Sequence, residues 1–248
     1  MFLTGSDLTA GSAHVFHTTQ WSIVLAAKAG NSSTALAALE NLCRIYWSPL
    51  YAFLRRQGRS PHDAQDLTQA FFAHLLQRAF LDNVDPHRGK FRSFLLASLK
   101  HFLCDEWDKI KAGKRGGGQM LISLSDQNAE ELYLREPDPR ASAEVVFDKR
   151  WALTLLARAM EQLRQEYDLA GKASEYHQLK RFLSMPTSDG AYGEVAAHLR
   201  ASAETVAVKV HRLRHRYGEL IRGEIIQTVA NPEEVEEELR HLFAAMGR

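Results

Sequence analysis

A chain of 248 residues is longer than one typical domain of about 100–150 residues, so two modules with connecting segments are expected. Its 45% apolar and 25% charged content fits folded globular modules, and no run approaches the ~18 consecutive apolar residues of a membrane helix, which excludes a membrane-spanning role. The formal net charge of +1 sums 31 basic and 30 acidic side chains that are segregated along the chain, and this segregation carries more information than the total.

Residues 1–17 are polar and aperiodic and read as a flexible leader. They lack the basic start and apolar stretch of an export signal, so a cytoplasmic location is expected. A short apolar stretch at Trp21, Ile23, Val24 and Leu25 ends at Gly30-Asn31. Ser32 or Ser33 then caps a helix to about Arg56, with Leu36, Leu39, Leu42, Cys43, Tyr46 and Leu50 on its core face and a kink expected at Pro49. Ser60 followed by Pro61 is an N-cap and first-turn pair for a helix through Gln77, with Asp63 and Asp66 at its positive end. Asn83 to Lys90 is a loop, and Phe91 to about Ala112 is a helix with Leu95, Leu99, Phe102 and Leu103 as its buried stripe.

Gly113-Lys114-Arg115-Gly116-Gly117-Gly118 ends that helix. The next residues, carrying Asp126, Glu130, Glu131, Glu136, Asp138 and Glu144, read as an acidic, mobile linker over 119–144. Helical spacing resumes from about Val145 through Trp151, Leu155, Leu156, Ala159 and Leu163, and another helix covers about Ala173 to Leu183. No sustained period-two alternation or hairpin turn is found, so the fold class is all-α. Cys43 and Cys104 belong to no CxxC pair, which argues against a disulfide framework or a thiolate zinc site.

Between Tyr192 and Arg222 the spacing is that of a helix-turn-helix. Tyr192, Val195, Ala196 and Leu199 face one way on a short helix. Arg200-Ala201-Ser202 is a tight connection, and Val206, Val210, Leu213, Tyr217 and Leu220 line a longer helix. Ser202 is its expected N-cap, which aims Ala203, Glu204, Thr205 and Lys209 at base edges. Arg212, Arg214, Arg216 and Arg222 follow and suit phosphate oxygens. The competing reading is a solvated basic helix on an ordinary helical domain. His211 and His215 have zinc-ligand spacing without an HExxH motif, so no metal is expected there.

Pro86 to Gly118 is the second signal, because Arg88, Lys90, Arg92, Lys100, Lys109, Lys111, Lys114 and Arg115 are interleaved with Phe91, Phe94, Phe102 and Trp107. Cations for the backbone and flat faces for unstacked bases are the chemistry of single-stranded nucleic acid. Phe94 and Phe102 fall on the core side. Lys100, Cys104, Trp107 and Lys111 form a separate face, where Trp107 either stacks on bases or packs. Asp105, Glu106 and Asp108 show no metal-ligand or nucleophile arrangement, so no catalytic residue, metal or cofactor is expected. Glu233, Glu234, Glu236, Glu237 and Glu238 follow Asn231-Pro232 and open a last helix, where negative charge is favoured.

A basic aromatic helix, an acidic linker and a helix-turn-helix, in that order, resemble the extracytoplasmic-function class of RNA polymerase sigma factors. Asp63-Ala64-Gln65-Asp66-Leu67-Thr68-Gln69-Ala70-Phe71-Phe72 looks like the family's clamp-docking region, and Phe91-Arg92-Ser93-Phe94-Leu95 through Asp105 looks like its promoter-melting helix. Tyr46-Trp47-Ser48-Pro49-Leu50-Tyr51, Lys114-Arg115-Gly116-Gly117-Gly118 and Pro232 to Leu242 resemble a long variety with a C-terminal extension. Ala70 departs from the family's glutamate, Trp107 from a commonly basic position, and Arg200 from the glycine usual in the turn, with a steric penalty if it must be left-handed.

The resemblance implies a region 2-like domain over 18–118, the linker over 119–144, a region 4-like domain over 145–228 and an extension over 229–248. It implies Asp63, Asp66, Gln69 and Phe72 as polymerase contacts. Arg88, Lys90, Phe91, Arg92, Lys100, His101, Trp107, Lys111, Lys114 and Arg115 are the implied minus-ten and melting set, and Ser202, Glu204, Thr205, Lys209, Arg212, Arg214 and Arg216 the helix-turn-helix set. Core RNA polymerase and promoter DNA, duplex and melted, are the implied partners; an anti-sigma or other regulatory protein is a further partner left open. A conventional helix-turn-helix regulator is the alternative, leaving the basic aromatic helix unexplained, and a metal-dependent nucleic-acid-processing enzyme ranks a distant third.

Overall fold

The computed structural model describes residues 32–75, 90–111, 128–135, 138–184, 191–229 and 231–247. The leader, the apolar stretch at Trp21–Leu25, the loop before Lys90 and the glycine-rich run at 113–118 lie outside the described residues. Among the described residues there is no strand, and the fold is all-α. No helix is long and apolar enough to cross a membrane among those residues.

The elements are α1 (Ser32–Arg56), α2 (Pro61–Leu75), α3 (Phe91–Lys111), α4 (Ala129–Leu134), α5 (Ala143–Leu169), α6 (Ala173–Leu179), α7 (Arg181–Ser184), α8 (Ala191–Leu199), α9 (Ala203–Ile226), a 3-10 turn (Pro232–Glu234) and α10 (Val235–Met246). Local chemistry fixes their ends. Ser60 Oγ accepts the Asp63 N–H at 3.1 Å and donates to the Asp63 carboxylate at 2.6 Å, so α2 begins where the Ser60-Pro61 pair predicts. Ser142 caps α5 by accepting the Val145 N–H at 3.3 Å, which starts that helix two residues earlier than the apolar spacing indicates. Pro49 lies inside α1, which remains one assigned helix through Arg56.

Three helices close with the same pair of backbone bonds. After α1, Arg59 N–H reaches Leu54 O and Gly58 N–H reaches Arg55 O; after α5, Lys172 reaches Tyr167 and Gly171 reaches Asp168; after α8, Ala201 reaches Ala196 and Arg200 reaches Ala197. Each is a Schellman closure that needs a left-handed residue at its pivot. Gly58 and Gly171 supply it with φ of +87° and +69°, and Arg200 takes φ of +50° with a Cβ in place.

Two apolar cores share the long helices. The first joins Leu42, Tyr46, Leu50 and Phe53 of α1, Phe71 and Phe72 of α2, and Leu95, Leu99 and Phe102 of α3 to Phe147, Trp151 and Leu155 of α5. Ile221 and Ile225 of α9 and Leu242 and Ala245 of α10 also enter it. The second core collects Leu163, Tyr176, Leu179, Phe182, Val195, Ala196, Val206, Val210 and Leu213. Thus α5 begins in one core and ends in the other, and the α1–α5 contact is the most extensive between elements. The sequence pattern shows the apolar stripe of α5 but not that its first half belongs with α1.

The described part of the acidic segment is tied down rather than loose. Glu130 on α4 accepts from Tyr51 Oη at 2.6 Å and from Arg55 Nε and Nη2 at 2.8 and 2.9 Å. Arg56 donates to the carbonyls of Ala141, at 2.7 Å, and Asp138, while Arg150 donates to that of Leu132. Two arginines at the end of α1 therefore gather carboxylate and carbonyl oxygens from a segment about 80 residues away, a pairing that charge content alone cannot reveal.

The Arg55 guanidinium beside Glu130, outweighing partial burial, holds its carboxyl below the ordinary 4.5. A depressed folded value means that the stabilisation is complete above the unfolded value and is lost as pH falls through the folded one. We expect the denaturation midpoint of the wild type to fall on acidification below about pH 4.5, and Glu130→Gln to be less stable at neutral pH with a shallower acid limb in the same urea titration.

Candidate nucleic-acid interface

The exposed side of α3 carries Lys100, His101, Cys104, Asp105, Trp107 and Asp108, while Leu95, Leu99 and Phe102 point into the core. A helix of period 3.6 separates these two sets, and the spacing of Lys100, Cys104 and Trp107 along one face is as predicted. Trp107 is 51% exposed, which is not a core position. Lys100 pairs with Glu144 at 2.8 Å and sits 5.7 Å from the Phe53 ring centroid, with nearly half of its side chain still in solvent. The side chain of Lys111, together with Arg88, Lys114 and Arg115, lies outside the described residues.

The start of α3 differs from the exterior position its composition suggests. Phe91 is fully buried against Tyr46, with ring centroids 5.4 Å apart. Arg92 is 8% exposed, donates through Nε to Glu238 at 2.6 Å and through Nη1 to Asp148 at 2.7 Å, and lies 5.2 Å from the Trp151 ring centroid. Lys90 meets Glu237 at 2.7 Å and Glu238 at 3.1 Å. Burial opposes its charge, but the two carboxylates outweigh it and raise the Lys90 pKa. Both cations meet two carboxylates, and Arg92, the deeper of the two, does so through separate nitrogens of its planar fork.

α8 and α9 form on either side of the turn at 200–202, and α9 has the expected cap, Ser202 Oγ accepting the Thr205 N–H at 3.2 Å. Ser202, Glu204 and Thr205 are exposed at the start of α9. The Ser202 hydroxyl, followed by the free backbone amides of the first turn, lowers the Glu204 pKa. Lys209 is half-buried and bonds Glu175 of α6. Arg214 is anchored on the Phe182 carbonyl at 3.0 and 2.8 Å, and Arg216 forms a two-pronged pair with Glu166 of α5 at 2.9 and 2.6 Å. Arg212 is exposed and has no ion-pair partner among the described residues. The sequence presents these cations as equivalent; the fold gives three of them internal partners.

On α2, Asp63 belongs to the helix cap and Asp66 pairs with His62 at 3.0 Å on the exposed side, next to half-buried Gln69. Phe72 is 1% exposed and stacks on Trp47, with centroids 5.8 Å apart and planes 7° from parallel, so its ring faces the core rather than a partner. Cys43 is buried and its thiol is pushed up to about 12, chiefly by desolvation. Among the described residues no group of His, Cys, Asp and Glu is arranged to hold a metal ion.

Residues 42–112 match the family model of Sigma-70 region 2. The matched stretch is less than a third of the chain and runs from the core residues of α1 through α2 to the end of α3. It supports a sigma-70 family member with a role in transcription initiation, working with RNA polymerase and promoter DNA. No curated protein and no solved structure matches the chain.

Two outcomes follow from this geometry. Arg200→Gly is expected to stabilise the fold by about 1 kcal/mol in a denaturant titration. A left-handed L-residue costs about 1–2 kcal/mol, part of which is offset by the greater unfolded freedom of glycine. Arg212→Ala should leave the denaturation midpoint nearly unchanged, while weakening duplex binding and reducing the slope of log affinity against log salt by about one.

Proposed function

We propose that the chain is a sigma factor of the extracytoplasmic-function class, a non-catalytic subunit that binds core RNA polymerase and directs promoter recognition and melting. The observation that carries this reading is the exposed Trp107 on the face of α3 that also carries Lys100 two turns earlier, within the segment that matches Sigma-70 region 2. An exposed aromatic face on a helix that also carries cations suits an unstacked base and its flanking phosphates. The helix-turn-helix of α8 and α9 supports a second contact, with Ser202, Glu204 and Thr205 at the base edges of a duplex and Arg212 on its phosphates.

The division of labour follows from physical chemistry. Phosphate contacts from arginine and lysine provide affinity without sequence information, and the start of α9 provides selection in the major groove. Melting costs a few kcal/mol for each unstacked base, and stacking on an aromatic ring returns about 1–3 kcal/mol per base. The chain thus biases the strands toward separation, and polymerase performs the chemistry. The exposed carboxylates on α2, led by Asp66, are the surface assigned to the polymerase clamp, with the C-terminal extension making this a long member of the class.

Co-purification of the tagged full chain with bacterial core polymerase, followed by run-off transcription from a promoter library, tests the reading. Stable association and new promoter-dependent transcripts are expected. Tight duplex binding without polymerase association would instead fit a conventional helix-turn-helix regulator. Within the sigma reading, Trp107→Ala should keep core binding and lower open-complex formation roughly tenfold, the scale of one lost base stack; loss of folding in that variant would assign the ring to packing.

A further inference from the structure

The C-terminal helix α10 places two carboxylates on the cations that begin α3. Glu238 is fully buried between Arg92, at 2.6 Å, and Lys90, at 3.1 Å, and Glu237 meets Lys90 at 2.7 Å from the exposed side. The approach is secured from three directions. Val235, Leu242 and Ala245 bury one face of α10 in the first core, the Phe91 N–H bonds the Thr228 carbonyl at 3.3 Å just before the extension, and Asp148 of α5 pairs with Arg92 at 2.7 Å, with His241 Nε2 of α10 lying 3.1 Å from its other oxygen. The remaining acidic residues of the segment, Glu233, Glu234 and Glu236, surround the same end of α10, and Glu236 reaches Arg222 of α9 at 2.6 Å.

A carboxylate on an arginine fork and a lysine ammonium presents anionic oxygens to the same donors that a phosphodiester would use. We infer that α10 is an internal occupant of the nucleic-acid site at the start of α3, its Glu237 and Glu238 standing where strand phosphates bind, so that the extension holds the chain in a closed state. This inference rests on the sigma reading for its biological meaning, but its physical content, competition between α10 carboxylates and nucleic-acid phosphates, is separate. Apparent affinity for the strand is then reduced by the fraction of molecules that are closed. Glu238, having no solvent exposure, cannot yield its place by a side-chain rotation alone, so strand entry must shift α10 itself.

The test uses the full chain and a fluorescent single-stranded DNA oligonucleotide followed by anisotropy. Glu237→Lys, at an exposed position, and the double variant Glu237→Gln with Glu238→Gln are each expected to bind the strand roughly tenfold or more tightly than the wild type. Glu233→Lys carries the same charge change on the same segment without touching Lys90 or Arg92, and is expected to stay within about twofold of the wild type. Equal gains from Glu233→Lys and Glu237→Lys, or no gain from Glu237→Lys, would overturn the inference.

The wild type supplies a readout that needs no substitution. Amides of residues 235–246 should lose hydrogen-exchange protection when the chain is saturated with the oligonucleotide, and unchanged protection would overturn the inference. Adding core polymerase separates the two levels of the account. Polymerase association and transcription that are the same for wild type and Glu237→Lys, with equal strand affinity, would remove the closed state and leave the sigma reading intact. A gain in strand affinity without polymerase association in any variant would do the reverse.

Discussion

Burial of the first half of α5 against α1 is the constraint on which the rest of the structure depends. Phe147, Trp151 and Leu155 enter the same core as Tyr46, Leu50 and Phe53, and the helix then continues into the second core, with α8 and α9. A single 27-residue helix spans about 40 Å, so it fixes the two ends of the molecule relative to each other as long as that core is intact. The ion pairs of Arg55 with Glu130 and of Arg92 with Asp148 and Glu238 lie along this seam. They are consequences of the apolar contact as much as causes of it. A buried pair repays little more than its own desolvation, although losing one partner costs about 3–5 kcal/mol.

The same seam explains how the cations are distributed. Where α5 passes, basic side chains find carboxylates from distant segments: Arg92 at the start of α3, Arg158 with Glu224, Arg216 with Glu166. Lys100, paired with Glu144 at the start of α5, keeps nearly half of its side chain in solvent, and Arg212 and the Trp107 ring are exposed. The exposed part of the candidate nucleic-acid surface is thus what internal pairing leaves uncovered. That surface is smaller than the tally of lysines and arginines suggests, but it contains a flat aromatic face and the exposed, capped start of α9, which are the parts that charge alone cannot supply.

Local signals were legible in the sequence and non-local ones were not. Ser60-Pro61 marked the start of α2, Ser202 the start of α9, and the apolar spacing of Leu42, Cys43, Tyr46 and Leu50 the core face of α1. Arg200 in the turn carried a visible steric conflict, and its φ of +50° realises it. The family resemblance places Phe72 among the polymerase contacts, but Trp47, 25 positions earlier, stacks on it and draws it inward. Lys90 and Arg92 read as cations awaiting phosphate because their partners, Glu237 and Glu238, stand nearly 150 residues away. The described part of the acidic segment was read as mobile on composition, and the arginines that hold it belong to another helix.

On the proposed function, this chain opens promoter DNA together with polymerase. Permanganate reactivity of promoter thymines in a complex reconstituted from core polymerase, the full chain and a promoter fragment measures that opening directly. A short stretch of reactive thymines upstream of the start site is expected only when core and chain are both present, and it should weaken with Trp107→Ala. Thymines that stay unreactive while the chain alone protects a palindromic duplex would contradict it.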